Sequence, residues 1–141
     1  MSPNKPAYLL DSFALLSYLN AEPGGQRVQE VLALAEQSHC RAIMCLINLG
    51  EVLYITERRR GLAKAQAALA LVESLPLQLL DATRDLILDA AHVKAKYPLS
   101  YADAFVAALA TREHAVILTG DPEFEAVQQV LTIEWLAQTQ D

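Results

Sequence analysis

The sequence predicts an α/β fold, with a short central parallel sheet flanked by helices on both faces. Three observations predict it. Short apolar runs, each only three to five residues long, alternate with longer segments of helical period. The 141 residues suit one core, so we expect a single domain over 1–141. No internal repeat, low-complexity segment or linker interrupts the alternation.

Each element follows from local signals. Tyr8-Leu9-Leu10 reads as a buried strand ending at Asp11, and a helix over about 12–20 follows. Pro23-Gly24-Gly25 is strong turn punctuation. Val28, Val31, Leu32 and Ala35 recur at helical spacing and predict a second helix to about residue 38. Residues 42–45 form the next apolar run. A helix over 46–60 ends at Gly61, and an Ala-rich helix over 62–75 ends before Pro76. Residues 77–80 read as a strand, 83–96 as a helix closed by Pro98, and 100–113 as a helix with a capped start. The strand 116–118 runs into the turn Thr119-Gly120-Asp121-Pro122. A short helix over about 123–129 and a strand over 132–136 complete the series.

With 53 % hydrophobic and 20 % charged residues, the chain is too apolar for disorder. No uninterrupted apolar run is long enough to cross a bilayer. Residues 1–6 are polar, and the apolar stretch from Tyr8 is broken at Asp11, which makes a poor signal peptide. A cytoplasmic location is expected. Cys40 and Cys45 are too few for a disulfide framework and complete no zinc set, so they read as small core residues. His39, His92 and His114 lack ligand spacing and read as solvated or capping residues. The net charge of −6, from 17 acidic and 11 basic residues, argues on its face against a nucleic-acid binder. Acids gathered in one pocket would nevertheless hold metal, and the metal would meet the phosphate.

Ligands of open parallel sheets bind beyond the carboxyl ends of the strands, so acids there carry the most information. Asp11 directly follows the first strand; its plain role is a helix N-cap. Glu51 and Asn48 are the only polar interruptions in the apolar stretch 46–55, three apart and on one face. That stretch reads as buried, and no Lys or Arg lies within one turn of Glu51; Arg58 is the first available. A buried carboxylate without a partner is costly or neutral, and a metal ion would resolve it. Asp103 sits three residues after Ser100, which is equally the spacing of a capping box. Asp121, followed by Pro122, is equally a helix start. Together the four acids make a plausible set of hard oxygen ligands for Mg²⁺ or Mn²⁺.

The segments Leu9-Leu10-Asp11-Ser12, Asn48-Leu49-Gly50-Glu51-Val52, Leu99-Ser100-Tyr101-Ala102-Asp103-Ala104 and Leu118-Thr119-Gly120-Asp121-Pro122-Glu123-Phe124 closely resemble the PIN domain. More narrowly they resemble the virulence-associated protein C type of toxin nuclease. The resemblance covers the chain from Tyr8 to Leu136. It implies a PIN-like fold and a catalytic, metal-holding set of Asp11, Glu51, Asp103 and Asp121. It also implies one or two Mg²⁺ or Mn²⁺ ions, and RNA hydrolysis leaving a 5′-phosphate and a 3′-hydroxyl. Homodimers and inhibition by a cognate antitoxin are implied as well. Thr119 is expected to orient the fourth acid or a metal-bound water, with Ser12 and Asn48 behind the ligands by spacing. Arg58-Arg59-Arg60 and Lys64, the only dense basic cluster, are candidates for RNA phosphate contacts.

Two other small doubly wound folds fit less well. A receiver domain wants adjacent acids after the first strand and a late Lys, but Asp11 is followed by Ser12-Phe13, and Thr119-Gly120-Asp121 stands in the Lys position. A haloacid-dehalogenase-like phosphatase wants a second Asp where Phe13 stands. The remaining alternative is a PIN-like module that binds RNA or docks protein without catalysis.

Overall fold

A computed structural model describes residues 5–138; the polar ends of the chain lie outside them. Five strands form one sheet: β1 (Ala7–Leu10), β2 (Arg41–Cys45), β3 (Gln78–Leu80), β4 (Val116–Thr119) and β5 (Ile133–Trp135). Their order is β3-β2-β1-β4-β5, and every pairing is parallel. The helices are α1 (Ser12–Leu19), α2 (Gly25–Glu36), α3 (Leu46–Arg60), α4 (Leu62–Ser74), α5 (Arg84–Lys96) and α6 (Tyr101–Glu113). The expected α/β architecture is therefore present, with helix limits within one to three residues of the sequence reading.

Successive strand residues point to opposite faces, and each face is covered. Leu9, Ile43, Cys45 and Ile117 pack beneath α5 and α6, with Leu86, Ala90, Phe105 and Leu109. Leu10, Met44, Ala42 and Leu118 pack on the other face, beneath helices that supply Leu15, Val28, Val31, Leu49 and Val72. Both thiols are free and buried, one in each layer. The three histidines are exposed, and His114 closes α6 in a left-handed conformation at φ 52°.

Two elements differ from expectation. The segment Pro122–Val127 is a 3-10 turn rather than an α-helix, because six residues opened by a proline make i→i+3 bonds, such as Phe124 N–H to Asp121 O at 3.2 Å. Helix α3 is not buried all round. Asn48, Leu49 and Val52 are buried, but Leu46, Ile47 and Tyr54 are exposed. The sheet offers each layer one side, so an outer helix hides only one stripe whatever its composition. Glu51 is therefore half-buried rather than enclosed.

Topology fixes where a ligand can go. The chain winds from β1 outward through β2 to β3, then returns to β4 on the other side of β1. The crevice between the carboxyl ends of β1 and β4 is the switch point. Leu10 pairs with Leu118, which brings Asp11 level with Thr119.

Candidate metal centre

The first acid is held at both oxygens. Asp11 caps α1, its Oδ1 accepting from Ala14 N–H at 2.8 Å. Its Oδ2 accepts from the Thr119 hydroxyl. Asp11 is 1 % exposed and Thr119 fully buried. The same Thr119 oxygen accepts from Asp121 N–H at 3.0 Å, so one hydroxyl joins the ends of β1 and β4 and sets the turn that carries Asp121.

Close approach of the turn to α1 requires Gly120. A Cβ at that position would lie 2.3 Å from Cε1 of Phe13. The Thr119-Gly120 backbone thus packs against an aromatic ring. Gly120→Ala is expected to cost about 1–3 kcal/mol through overpacking, read as a lower urea midpoint at unchanged slope.

Glu51 and Asp103 come from α3 and α6. Asn48, fully buried, donates through Nδ2 to Glu51 Oε1 and to Ala102 O, both at 3.2 Å. It thereby links the two helices beside the acids. Ser100 caps α6, its Oγ accepting from Asp103 N–H at 3.1 Å. The reciprocal half of the capping box is not made by Asp103. Instead the Ser100 N–H donates to Glu123 Oε1, from the 3-10 turn after β4. The Asp103 carboxylate accepts no hydrogen bond among the described residues.

Carboxylate oxygens of Asp103, Asp121 and Glu123 lie within 4.8 Å of one another. Asp11 and Glu51 stand outside that tight trio, yet both act on Asp103 electrostatically. Burial raises Asp11 to about 7, with Asp121 and Glu51 adding to the rise against the hydrogen bonds from Thr119 and Ala14. Burial likewise raises Asp103 to about 8, helped by Asp121, Asp11, Glu123 and Glu51. No Lys or Arg forms an ion pair with any of these five acids among the described residues; the cations instead pair elsewhere, as in Arg27–Glu134 and Arg41–Glu113.

The structure thus brings Asp11, Asp103 and Asp121 to one edge, with Glu51 beside them, and sets Thr119 and Asn48 between them. Ser12 opens α1 half-buried, and its hydroxyl makes no bond to the acids among the described residues. Arg58, Arg59 and Arg60 are exposed in the last turn of α3, Arg58 lying over the Tyr54 ring at 5.2 Å, and Lys64 is exposed on α4. Sequence reading missed Glu123. Its signal was a second acid two residues after Asp121, at the opening of the turn.

The donor set fits a hard divalent cation. It is all oxygen, no Lys or Arg pairs with it, and beside it the buried Asn48 Oδ1 lacks a hydrogen-bond partner, all among the described residues. Nitrogen and sulfur ligands that would favour zinc or copper are absent from it.

Comparison with known proteins bears on the fold and the family. No curated protein matches the sequence. Among solved structures, the fold is similar to VapBC2 from Rickettsia felis bound to a DNA fragment from its promoter, with a TM-score of 0.72, 17 % identity, and coverage of 93 % of this chain and 99 % of that one. It is similar to DNA-bound VapBC from Salmonella typhimurium, with a TM-score of 0.72, 20 % identity, and coverage of 92 % and 97 %. It is also similar to the sarcin–ricin loop cleaving toxin VapC20 from Mycobacterium tuberculosis, with a TM-score of 0.67, 20 % identity, and coverage of 85 % and 94 %. Matched by the PIN domain family over residues 8–130, with the winding and the strand-end acids described above, this chain belongs to the PIN domain family.

Proposed function

We propose that the protein is a Mg²⁺- or Mn²⁺-dependent endoribonuclease, the toxin of a toxin–antitoxin pair acting in the cytoplasm. The observation that carries this reading is the acidic edge itself: Asp11 and Asp103 are buried, oxygens of Asp103, Asp121 and Glu123 lie within 4.8 Å of one another, and no Lys or Arg pairs with them among the described residues. Such a cluster is unfavourable without a cation and useful with one. The likeness in fold to a toxin–antitoxin complex and to a sarcin–ricin loop cleaving toxin supports the RNA substrate and the antitoxin partner.

In this reading Asp11, Glu51, Asp103 and Asp121 hold the cation. The chemistry such a cation would supply when bound is a more acidic water and stabilisation of charge on the phosphoryl group. Thr119 fixes the Asp11 carboxylate and the Asp121 turn, Asn48 aims Glu51, and Ser12 lines the start of α1. Arg58, Arg59, Arg60 and Lys64 grip flanking phosphates, which offsets a net charge of −6. The protein works as a homodimer, through exposed apolar residues such as Leu46, Ile47, Leu62 and Leu71 on α3 and α4.

Cleavage of RNA by the purified protein with Mn²⁺, and its loss in Asp11→Asn, tests the assignment. The expected loss is at least about a hundredfold, beyond that of an outer-shell change. Binding of RNA with no metal-dependent cleavage would favour the non-catalytic docking module instead.

A further inference from the structure

The start of α6 is capped by a residue from another element. In an ordinary capping box the side chain at the third helical position reaches back to the N-cap N–H. Here that position is Asp103 and the N-cap is Ser100, yet the Ser100 N–H donates to Glu123, 23 residues away. Glu123 is fixed at its own backbone too, its N–H donating to Asp121 Oδ1 at 2.9 Å. Asp121 in turn is tied through its N–H to Thr119, and Thr119 to Asp11. The chain of bonds runs from the end of β1 to the first turn of α6 and, of the five acids, leaves the Asp103 carboxylate without a hydrogen-bond donor among the described residues.

We propose that Glu123 is a positioning residue, whose carboxylate caps Ser100 in place of Asp103, fastens the Asp121 turn to the start of α6, and so releases Asp103 to face a divalent cation. The proposal rests on the metal-dependent reading above. It assigns Glu123 a role through its reach and acceptor oxygen rather than through its charge. With Glu123 at the Ser100 N–H, the Asp103 carboxylate accepts no hydrogen bond among the described residues and stays close to the Asp121 and Glu123 oxygens. Half-burial keeps the Glu123 side chain close to the two acids without enclosing it.

Two conservative variants separate reach from charge. Glu123→Gln keeps an acceptor at the same distance and removes the charge. Glu123→Asp keeps the charge and withdraws it by one methylene. Two quantities are read on the full chain without RNA: Mn²⁺ affinity by calorimetry, and exchange of the Ser100 amide by NMR. We expect E123Q to retain slow Ser100 exchange and an affinity close to that of the unaltered protein. E123D should exchange Ser100 rapidly and bind Mn²⁺ about 10–100-fold more weakly, as loss of an outer-shell partner does. The reverse ranking would make Glu123 a ligand or a charge. Equal behaviour of both variants, whether impaired or unimpaired, would equally overturn the proposal. Failure of the unaltered protein to bind Mn²⁺ is a separate result: it would sink the metal-dependent reading, while Ser100 exchange would still decide who caps α6.

Discussion

Asp103→Asn is expected to abolish Mn²⁺-dependent RNA cleavage, by at least about a hundredfold, and to raise the melting temperature of the metal-free protein. Both effects have the same origin. Asp103 is 6 % exposed, accepts no hydrogen bond among the described residues, and is raised to about 8 by burial and by four neighbouring acids. Its charge is a cost to the metal-free fold, and Asn removes that cost. Asn can also donate to the Asp121 and Glu123 oxygens nearby. Had Asp103 been a helix cap, its loss would lower stability by about 0.5–2 kcal/mol and leave cleavage per folded molecule unchanged. Ser100 and Glu123 already do the capping, so only a helix-dipole contribution of about 0.3–1 kcal/mol is forfeited. Activity and melting temperature measured on one preparation, with and without Mn²⁺, decide the matter. Full activity with a lowered melting temperature would remove Asp103 from the catalytic set.

Metal-free protein should also lose stability as the pH rises, against the usual trend for carboxylates. Asp11 and Asp103 titrate near 7 and 8 when folded and near 3.8 when unfolded. Between those limits the folded state holds more protons than the unfolded chain, so unfolding free energy falls with pH. The stabilisation is complete below about pH 4 and is gone once the pH has passed through 7 and 8. The loss is less than the sum for two independent groups, because Asp11 acts on Asp103. Thermal melts in chelator should therefore drop by about 10 °C between pH 5 and pH 9. Mn²⁺ should oppose the trend, since it binds the ionised acids and stabilises the native state. The double variant Asp11→Asn, Asp103→Asn should flatten it. A metal-free melting temperature that rises across this window would show that burial does not lift the protonation of these two acids.

Local interactions made much of this fold readable in one dimension. Helix α3 begins and ends where apolar spacing and Gly61 indicate, since periodicity and caps act over three or four residues. Asp11, Ser100 and Asp121 were legible as caps for the same reason, and they are caps. The order of short apolar runs and helices dictated a parallel sheet covered on both faces. Glu51 stood out as a carboxylate in an apolar stretch, although the stretch proved exposed along one side. What remained hidden depends on which strands become neighbours. The hydroxyl that joins Asp11 to Asp121 lies 108 residues from Asp11 and reaches it only because β4 returns beside β1. Likewise, the exposure of Leu46 and Ile47 follows from where α3 lies against the sheet, not from their hydropathy. Whether Asp103 caps its own helix or stands free is decided by Glu123 arriving from another element. The sequence by itself determined most of the elements and the caps made by Asp11, Ser100 and Asp121, because those are properties of neighbouring residues, and it offered four acids as candidates. Only the tertiary structure decided which acids share space, which are relieved of hydrogen-bonding duty, and how far burial lifts their protonation, because charge and desolvation act through space rather than along the chain.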